Sequence, residues 1–296
     1  VKTLAVYNIK GGVGKTAAAV NLSHLAARGG ARVLVWDLDP QGAATFYFRI
    51  RPKLRGGGRA LVLGRNPLDV LLKGTDYANL DLVPSDFSYR HMDLMLEGLK
   101  KPTRRIRKLL APLDADYDYA FLDCPPGISL VSESVLEAAD ALLVPVIPTT
   151  LSARTLEQLR AFCARQGHAE LRILPFFSIV SARKRLHREL MERLPQEGPE
   201  WLRAVIPDSA DVERMGVRRA PVCAYARGSQ ACEAYTRLWE ELAARLAAWH
   251  RLEESPPLAA GSAGSPSPGA APASLGFLSA RGDPGSHLPA GPSRTR

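Results

Sequence analysis

Cysteine is scarce in this 296-residue chain: Cys124, Cys163, Cys223 and Cys232 are widely spaced, with no C-x-x-C pair. That spacing argues against a zinc site or a dithiol redox motif, and four buried, reduced thiols are expected. Long apolar runs are missing as well. None approaches the roughly 18 residues needed to cross a bilayer, and the chain opens on a strand-like run rather than a signal peptide. Acidic residues are outnumbered, 30 against 39 Lys and Arg, for a formal charge of +9. Such a surface favours polyanions, nucleic acid or acidic membrane, without choosing between them. Aromatics are only 7%, but a 46% hydrophobic content is enough to pack one large α/β domain or two small ones.

What the chain does have is Lys10-Gly11-Gly12-Val13-Gly14-Lys15-Thr16, set between an apolar run and an alanine-rich stretch with helical character. Strand, glycine-rich turn and helix make the context of a phosphate-binding loop. Glycines let backbone N–H groups wrap a polyphosphate, and the helix aims its positive end at the same anion. Gly11, Gly12, Val13, Gly14, Lys15, Thr16 and Ala17 are the expected nucleotide-binding residues. Lys15 would reach the β- and γ-phosphates, and the Thr16 hydroxyl would ligate Mg²⁺. The other reading, a chance glycine-rich turn, does not account for the ordered motifs downstream.

Strand-length apolar runs recur at residues 4–7, 33–36, 80–83, 119–122, 141–146, 173–180 and 205–206, most of them separated by helical patterns. This alternation predicts an α/β fold: a single doubly wound, mainly parallel sheet covered by helices on both faces. Ligands in such sheets bind at the carboxyl ends of strands, and the chemistry-bearing motifs follow the first, second and fourth runs. Tyr235, Leu238, Trp239, Leu242, Leu246 and Trp249 form one apolar stripe on a final helix from about 230 to 253. Docking onto the core is the expected use of that stripe. Residues 1–254 are thus read as the folded domain. The Pro/Gly/Ser/Ala-rich remainder, 255–296, is read as a disordered tail whose Arg281-Gly282-Asp283 triplet is coincidental. Residues 49–65, with Arg49, Arg51, Lys53, Arg55, Arg59 and Arg65 around three glycines, are read as a mobile basic loop beside the nucleotide.

Three motifs stand in order: the two-lysine phosphate loop, Trp36-Asp37-Leu38-Asp39-Pro40-Gln41-Gly42, and Phe121-Leu122-Asp123-Cys124-Pro125-Pro126. In this combination the chain resembles the ParA/MinD family of deviant Walker-type ATPases, P-loop NTPases, over roughly residues 1–252, and most of all its ParA branch. Asp123, ending an apolar strand, suits the Walker B carboxylate that holds Mg²⁺. Asp37 and Asp39 are two apart, so in extended geometry they would point the same way. The resemblance implies that Asp39 positions the attacking water and that Asp37 supports the Mg²⁺ shell. It implies further that Lys10 crosses a nucleotide-sandwich homodimer and acts on the partner copy's phosphates, and that Pro207 and Asp208 flank the adenine. ATP and Mg²⁺ are the implied cofactors. Weak ATP hydrolysis, stimulated by a ParB-like or cargo-adaptor partner, is the implied activity.

Basic residues cluster three times: Lys100, Lys101, Arg104, Arg105, Arg107 and Lys108; Arg183, Lys184, Arg185 and Arg188; Arg214, Arg218 and Arg219. Any one could be a solvated face. Together they favour salt-sensitive DNA binding without base readout. The resemblance implies DNA contacts near Arg183 and in the loop after Pro207, although Asp211 stands where the family often has a basic residue. A cytoplasmic, nucleoid-associated protein that partitions or positions a DNA or protein cargo, as in chromosome segregation, is the resulting expectation. The alternative is a MinD-like membrane switch, for which the tail offers only Leu275, Phe277 and Leu278 among glycines, serines and prolines. Iron–sulfur carriers of related fold would need a second cysteine to join Cys124. Tyrosine kinases of related fold usually carry a tyrosine-rich tail, which is absent here.

Overall fold

Eight strands make one sheet: β1 (Lys2–Val6), β2 (Val33–Asp37), β3 (Lys73–Gly74), β4 (Leu80–Val83), β5 (Tyr119–Asp123), β6 (Ala141–Val146), β7 (Arg172–Val180) and β8 (Val205–Pro207). The structure is a computed structural model, and residues 1–254 other than Arg55 and Pro199 are described. The tail read as disordered lies outside them. Spatial order is β3-β4-β2-β5-β1-β6-β7-β8. All neighbours run parallel except β3 with β4. Seven of the strands fall on the apolar runs. The two-residue β3 has no sequence signal, because both its residues are exposed and polar or glycine.

Both faces of the sheet are covered, which explains why the strands read as continuous apolar runs. Leu4 and Val6 of β1, Val33 and Val35 of β2, and Phe121 of β5 pack on one side. Ala5, Leu34, Trp36, Ala120 and Leu122 pack on the other. The first face carries the helices Lys15–Arg28 and Gln230–Glu254. In the last helix Tyr235, Leu238, Leu242 and Leu246 are buried, and Trp239 meets Tyr119 edge-on at 5.2 Å. The expected stripe therefore docks on the core. Truncating Leu238 to alanine would cost about 2–5 kcal/mol.

Two expectations are corrected here. Residues 49–65 include the helix Gly57–Leu63, with Leu54, Leu61 and Val62 buried. The Asp86 carboxylate accepts the Leu54 N–H at 3.0 Å and pins the segment. Glycine and arginine content suggested a loop because it masked three well-placed apolar residues. The cysteines differ too: Cys223 and Cys232 are joined by a disulfide, while Cys124 and Cys163 are free and buried. The short helix Val222–Tyr225 folds back on the start of the last helix through a turn closed by Ser229 N–H to Ala226 O. Two cysteines nine positions apart are brought together by that reversal.

Candidate nucleotide site

At the carboxyl end of β1 the chain turns through Asn8, whose side chain donates to Pro145 O and accepts the Lys10 N–H, both at 2.9 Å. The loop that follows requires glycine. Gly12 and Gly14 have positive φ, 70° and 92°. A Cβ on Gly14 would meet Ser178 Oγ at 2.7 Å, so the backbone here touches β7 directly. Gly14 also begins the helix Lys15–Arg28 without a side-chain cap, and no acidic residue lies in the first turn. Leading N–H groups of that helix are left for an anion.

A cavity of about 440 Å³ opens beside this loop. Gly11, Gly12, Gly14, Lys15, Thr16, Ala17, Asp39, Pro207 and Asp208 all line it. These come from the ends of three separated stretches of sequence. Lys10, Val13, Asp37 and Asp123 are not among its lining residues. Val13 is wholly buried. Sequence reasoning missed Tyr47, Ser178, Ile179, Val212, Glu213 and Tyr235, which complete the far wall. Only a fold places these beside a glycine loop. The one local hint was that Val212 and Glu213 follow Pro207 by five and six positions.

The charged groups sort by burial. Lys15 donates through Nζ to Lys10 O at 3.1 Å and is only 7% exposed. Burial lowers its proton affinity, while Asp123 chiefly, with Cys124 and Asp39, pulls it back up. Asp37 and Asp123 stand side by side in register at the ends of β2 and β5, both fully buried. Their fates differ. Asp37 Oδ2 accepts from Thr45 N at 2.8 Å and Thr45 Oγ1 at 2.7 Å, and Oδ1 accepts the Asp39 N–H at 3.3 Å. Neither oxygen of Asp123 has a hydrogen-bond partner. The Thr16 hydroxyl lies near enough to favour the Asp123 anion without completing a full bond. Burial pushes the Asp37 carboxyl up to about 6, against its Thr45 bonds. Burial, then the Asp37 charge, pushes Asp123 well above the usual carboxylate range.

The expectation that Asp37 and Asp39 face the same way is corrected. β2 ends at Asp37, and Asp39 lies in the turn beyond, held by Ser85 Oγ donating to its carbonyl at 2.5 Å. Asp37 is therefore turned to Thr45 and Asp39 to the cavity. A hard cation fits this donor set, because two buried carboxylate oxygens without partners want one. Among the described residues no group of three or more His, Cys, Asp or Glu could hold a metal by itself. The remaining oxygens would have to come from water and substrate phosphates, which is the habit of Mg²⁺. Cys124 donates weakly to Leu122 O, and burial raises its thiol pKa strongly, so it is poorly suited to ligate a cluster.

The basic residues lie elsewhere. Arg183, Lys184, Arg185 and Arg188 are exposed around the start of the helix Arg185–Arg193, with Arg185 paired to Glu189 at 2.7 Å. Arg188 donates to Ala182 O at 2.8 Å. Arg214 pairs with Asp211 at 3.2 Å, and Arg218 is exposed. Arg219 donates to Phe46 O at 3.1 Å and stacks on the Phe46 ring, so its guanidinium is engaged within the molecule.

A glycine cradle at a helix start, fed by the carboxyl ends of parallel strands, defines the class: this is a P-loop NTPase fold. The family model described as "AAA domain" matches residues 1–170. The chain belongs to that family, and its relatives over most of its length include ParA and Soj chromosome-partitioning proteins. It is 28% identical over 250 residues to the chromosome partitioning protein ParA of Myxococcus xanthus, covering 82% of this chain and 88% of that one. A putative plasmid partition protein from Borrelia burgdorferi, bound to AMPPNP, superposes with a TM-score of 0.73. It is 21% identical and covers 82% of this chain and 99% of its own. A Mycobacterium smegmatis cobyrinic acid a,c-diamide synthase, with bound ATP analogue and magnesium, gives 0.71 at 26% identity, covering 83% and 95%.

Proposed function

We propose that this chain is an ATP-hydrolysing switch that dimerises around ATP, holds DNA non-specifically in that state, and positions a DNA or protein cargo. The observation that carries the reading is the division of labour between the two lysines. Lys15 is buried against its own loop, whereas the Lys10 side chain is not part of the wall of its own cavity. A lysine so placed suits the phosphates of a second copy. The relatives named as partition proteins, and the solved structures described as binding ATP analogues, support nucleotide binding with Mg²⁺.

Each residue's role follows from its chemistry. Backbone N–H groups of residues 12–16 and the Lys15 ammonium would neutralise the β- and γ-phosphates. Thr16 and Asp123 would hold Mg²⁺, with Asp37 fixing the loop beside them; the ion supplies charge neutralisation of the phosphates when bound. Asp39 orients a water against the γ-phosphorus. As its oxygen bonds to phosphorus, the bond to the β-phosphate oxygen breaks, and the water protons end on phosphate. Asp39 need not be a strong base, because phosphoryl transfer rests on positioning and charge stabilisation. Lys10 from the second copy would stabilise charge as that bond breaks. Pro207 and Asp208 flank the base, Tyr47 and Tyr235 supply its apolar walls, and a ParB-like or cargo-adaptor partner sets the rate.

Among the described residues no helix is long and apolar enough to cross a membrane. The test is DNA binding with ATP, ADP and no nucleotide at two salt concentrations. ATP-dependent binding that weakens steeply with salt is expected. Binding that ignores nucleotide would overturn the switch, and ATP-dependent vesicle binding without DNA binding would replace it with the membrane reading.

A further inference from the structure

A second cavity, about 510 Å³, lies at the β8 edge of the sheet, between the helix Arg185–Arg193 and the last helix. It shares only Pro207 with the nucleotide cavity. Its wall is amphiphilic: Val180, Met191 and Ala234 supply apolar surface, while Arg188, Arg203 and Arg237 are exposed around it. One acidic residue, Glu241, also lines it. Its carboxylate is already committed to the N–H groups of Arg203 (2.7 Å) and Ala204 (3.2 Å) and to Arg245 at 3.0 Å. Arg237 pairs with Glu233 at 3.2 Å and Arg188 donates one N–H to Ala182 O at 2.8 Å, so the space presents the Arg203 guanidinium and the remaining N–H groups of Arg188 over an apolar floor, with the Glu241 carboxylate spent.

We propose that this cavity binds a small organic anion, a single carboxylate or phosphate group carried on an apolar body. Its volume is in the range that holds a small molecule. Arginine's planar fork suits either head group. Three other occupants fit less well. An added peptide strand would find few donors, because Arg203 N–H and Ala204 N–H are taken by Glu241 and Pro207 has none. A nucleic acid backbone brings charge but no apolar body for Val180, Met191 and Ala234. The chain's own residues 255–296 carry Arg281, Arg294 and Arg296 against Asp283, so their charge has the wrong sign for this rim.

The test is fluorescence titration of the full chain with anilinonaphthalene sulfonate, an aromatic body with one anionic head, with ADP and Mg²⁺ held at saturation. One saturable site per chain is expected. Arg203→Glu, an exposed change compatible with folding, should weaken it about tenfold, and Ala234→Trp should fill the floor and abolish it. Competition with octanoate and octyl phosphate identifies the preferred head group, and octanol should compete far less. Absence of a saturable site under these conditions, unchanged binding in Arg203→Glu, or octanol competing as well as the anions would overturn the proposal. Because ADP occupies the other cavity throughout, a negative result here leaves the ATPase reading standing.

Discussion

On one side of the nucleotide cavity the lining comes from a single stretch, Gly11, Gly12 and residues 14–17, with Asp39 beside it and Asp123 buried near Thr16. On the other it comes from Ser178 and Ile179, residues 206–209, Val212 and Glu213, and Tyr47 and Tyr235, which are brought together only by the sheet and the last helix. The first wall is built of backbone, charge and glycine. The second mixes apolar and aromatic side chains (Ile179, Ile206, Pro207, Val212, Tyr47 and Tyr235) with Ser178, Asp208, Ser209 and Glu213, and has no lysine and no glycine. On the proposed reading the first wall takes phosphate, which has one geometry and several charges and so needs particular residues in strict order, and the second takes the base. A base is a flat, weakly polar object that many apolar shelves can hold. Substitutions on the two walls should therefore differ in kind as well as in size.

The largest expected effect belongs to the lysine that does not line its own cavity. Lys10→Ala should leave nucleotide affinity within about twofold while lowering turnover by about 10³-fold. Single-turnover hydrolysis alongside equilibrium nucleotide binding separates the two. Turnover that survives would place Lys10 outside the chemistry and make the phosphate wall complete within one copy.

Next comes Asp123. Its unpartnered, buried carboxylate makes Asp123→Asn a change with two opposite signs. Mg²⁺-dependent nucleotide affinity should fall about 10–100-fold, the size expected for losing a metal-supporting group. The ligand-free protein should become more stable, because a buried carboxyl group without hydrogen-bond partners is removed and its attraction to Lys15 does not offset its desolvation. The pH dependence follows. A folded carboxyl whose pKa lies above its unfolded value keeps its proton longer, so ligand-free stability falls as pH rises past the unfolded value near 4. For Asp37, raised to about 6, that loss is complete above about pH 6. Urea melts at several pH values should show a shallower decline in Asp123→Asn than in the parent. Identical slopes would mean that Asp123 is compensated in solution.

The difference between the walls also explains what could be read in advance. Lys15, Thr16, Asp39 and Asp123 were legible because each must stand at a fixed offset in a short stretch beside a strand end. Seven strands were legible because burial on both faces makes them continuously apolar. Tyr47 and Tyr235 were not legible, since an aromatic that walls a cavity looks the same in sequence as one in the core. Nor was the Cys223–Cys232 pairing, which depends on a chain reversal, or the fact that Asp39 lines the cavity while Asp37 is bonded to Thr45, which depends on where β2 stops. The helix Gly57–Leu63 was hidden by composition.

On the wall proposed for the base, Asp208→Ala tests whether that side carries selectivity rather than strength. ATP affinity should fall less than about tenfold, the loss of one exposed polar contact. The preference for ATP over GTP should narrow while the rate at saturation stays unchanged. Competition binding with the two nucleotides measures this. A loss as large as that in Asp123→Asn would erase the distinction between the walls.

The smallest effect tests how the walls are tied together. Arg49 donates to Arg218 O and Arg219 O at 3.1 Å each, and Arg219 returns a bond to Phe46 O. This reciprocal clasp links the helix Ala43–Tyr47, which supplies Tyr47, to the segment after residue 213 on the base side. Arg49 and Arg219 both have positive φ, 59° and 48°, so the clasp is held against backbone preference on both sides. Its bonds are solvent-exposed, and Arg49→Ala should cost only about 1 kcal/mol, or roughly 2–4 °C in Tm. Arg49→Gly should cost less than alanine, because glycine accepts the left-handed conformation that alanine must strain to adopt. Thermal melts of the two variants should fall in that order. If both are as stable as the parent, the clasp is a surface contact and the two walls move independently.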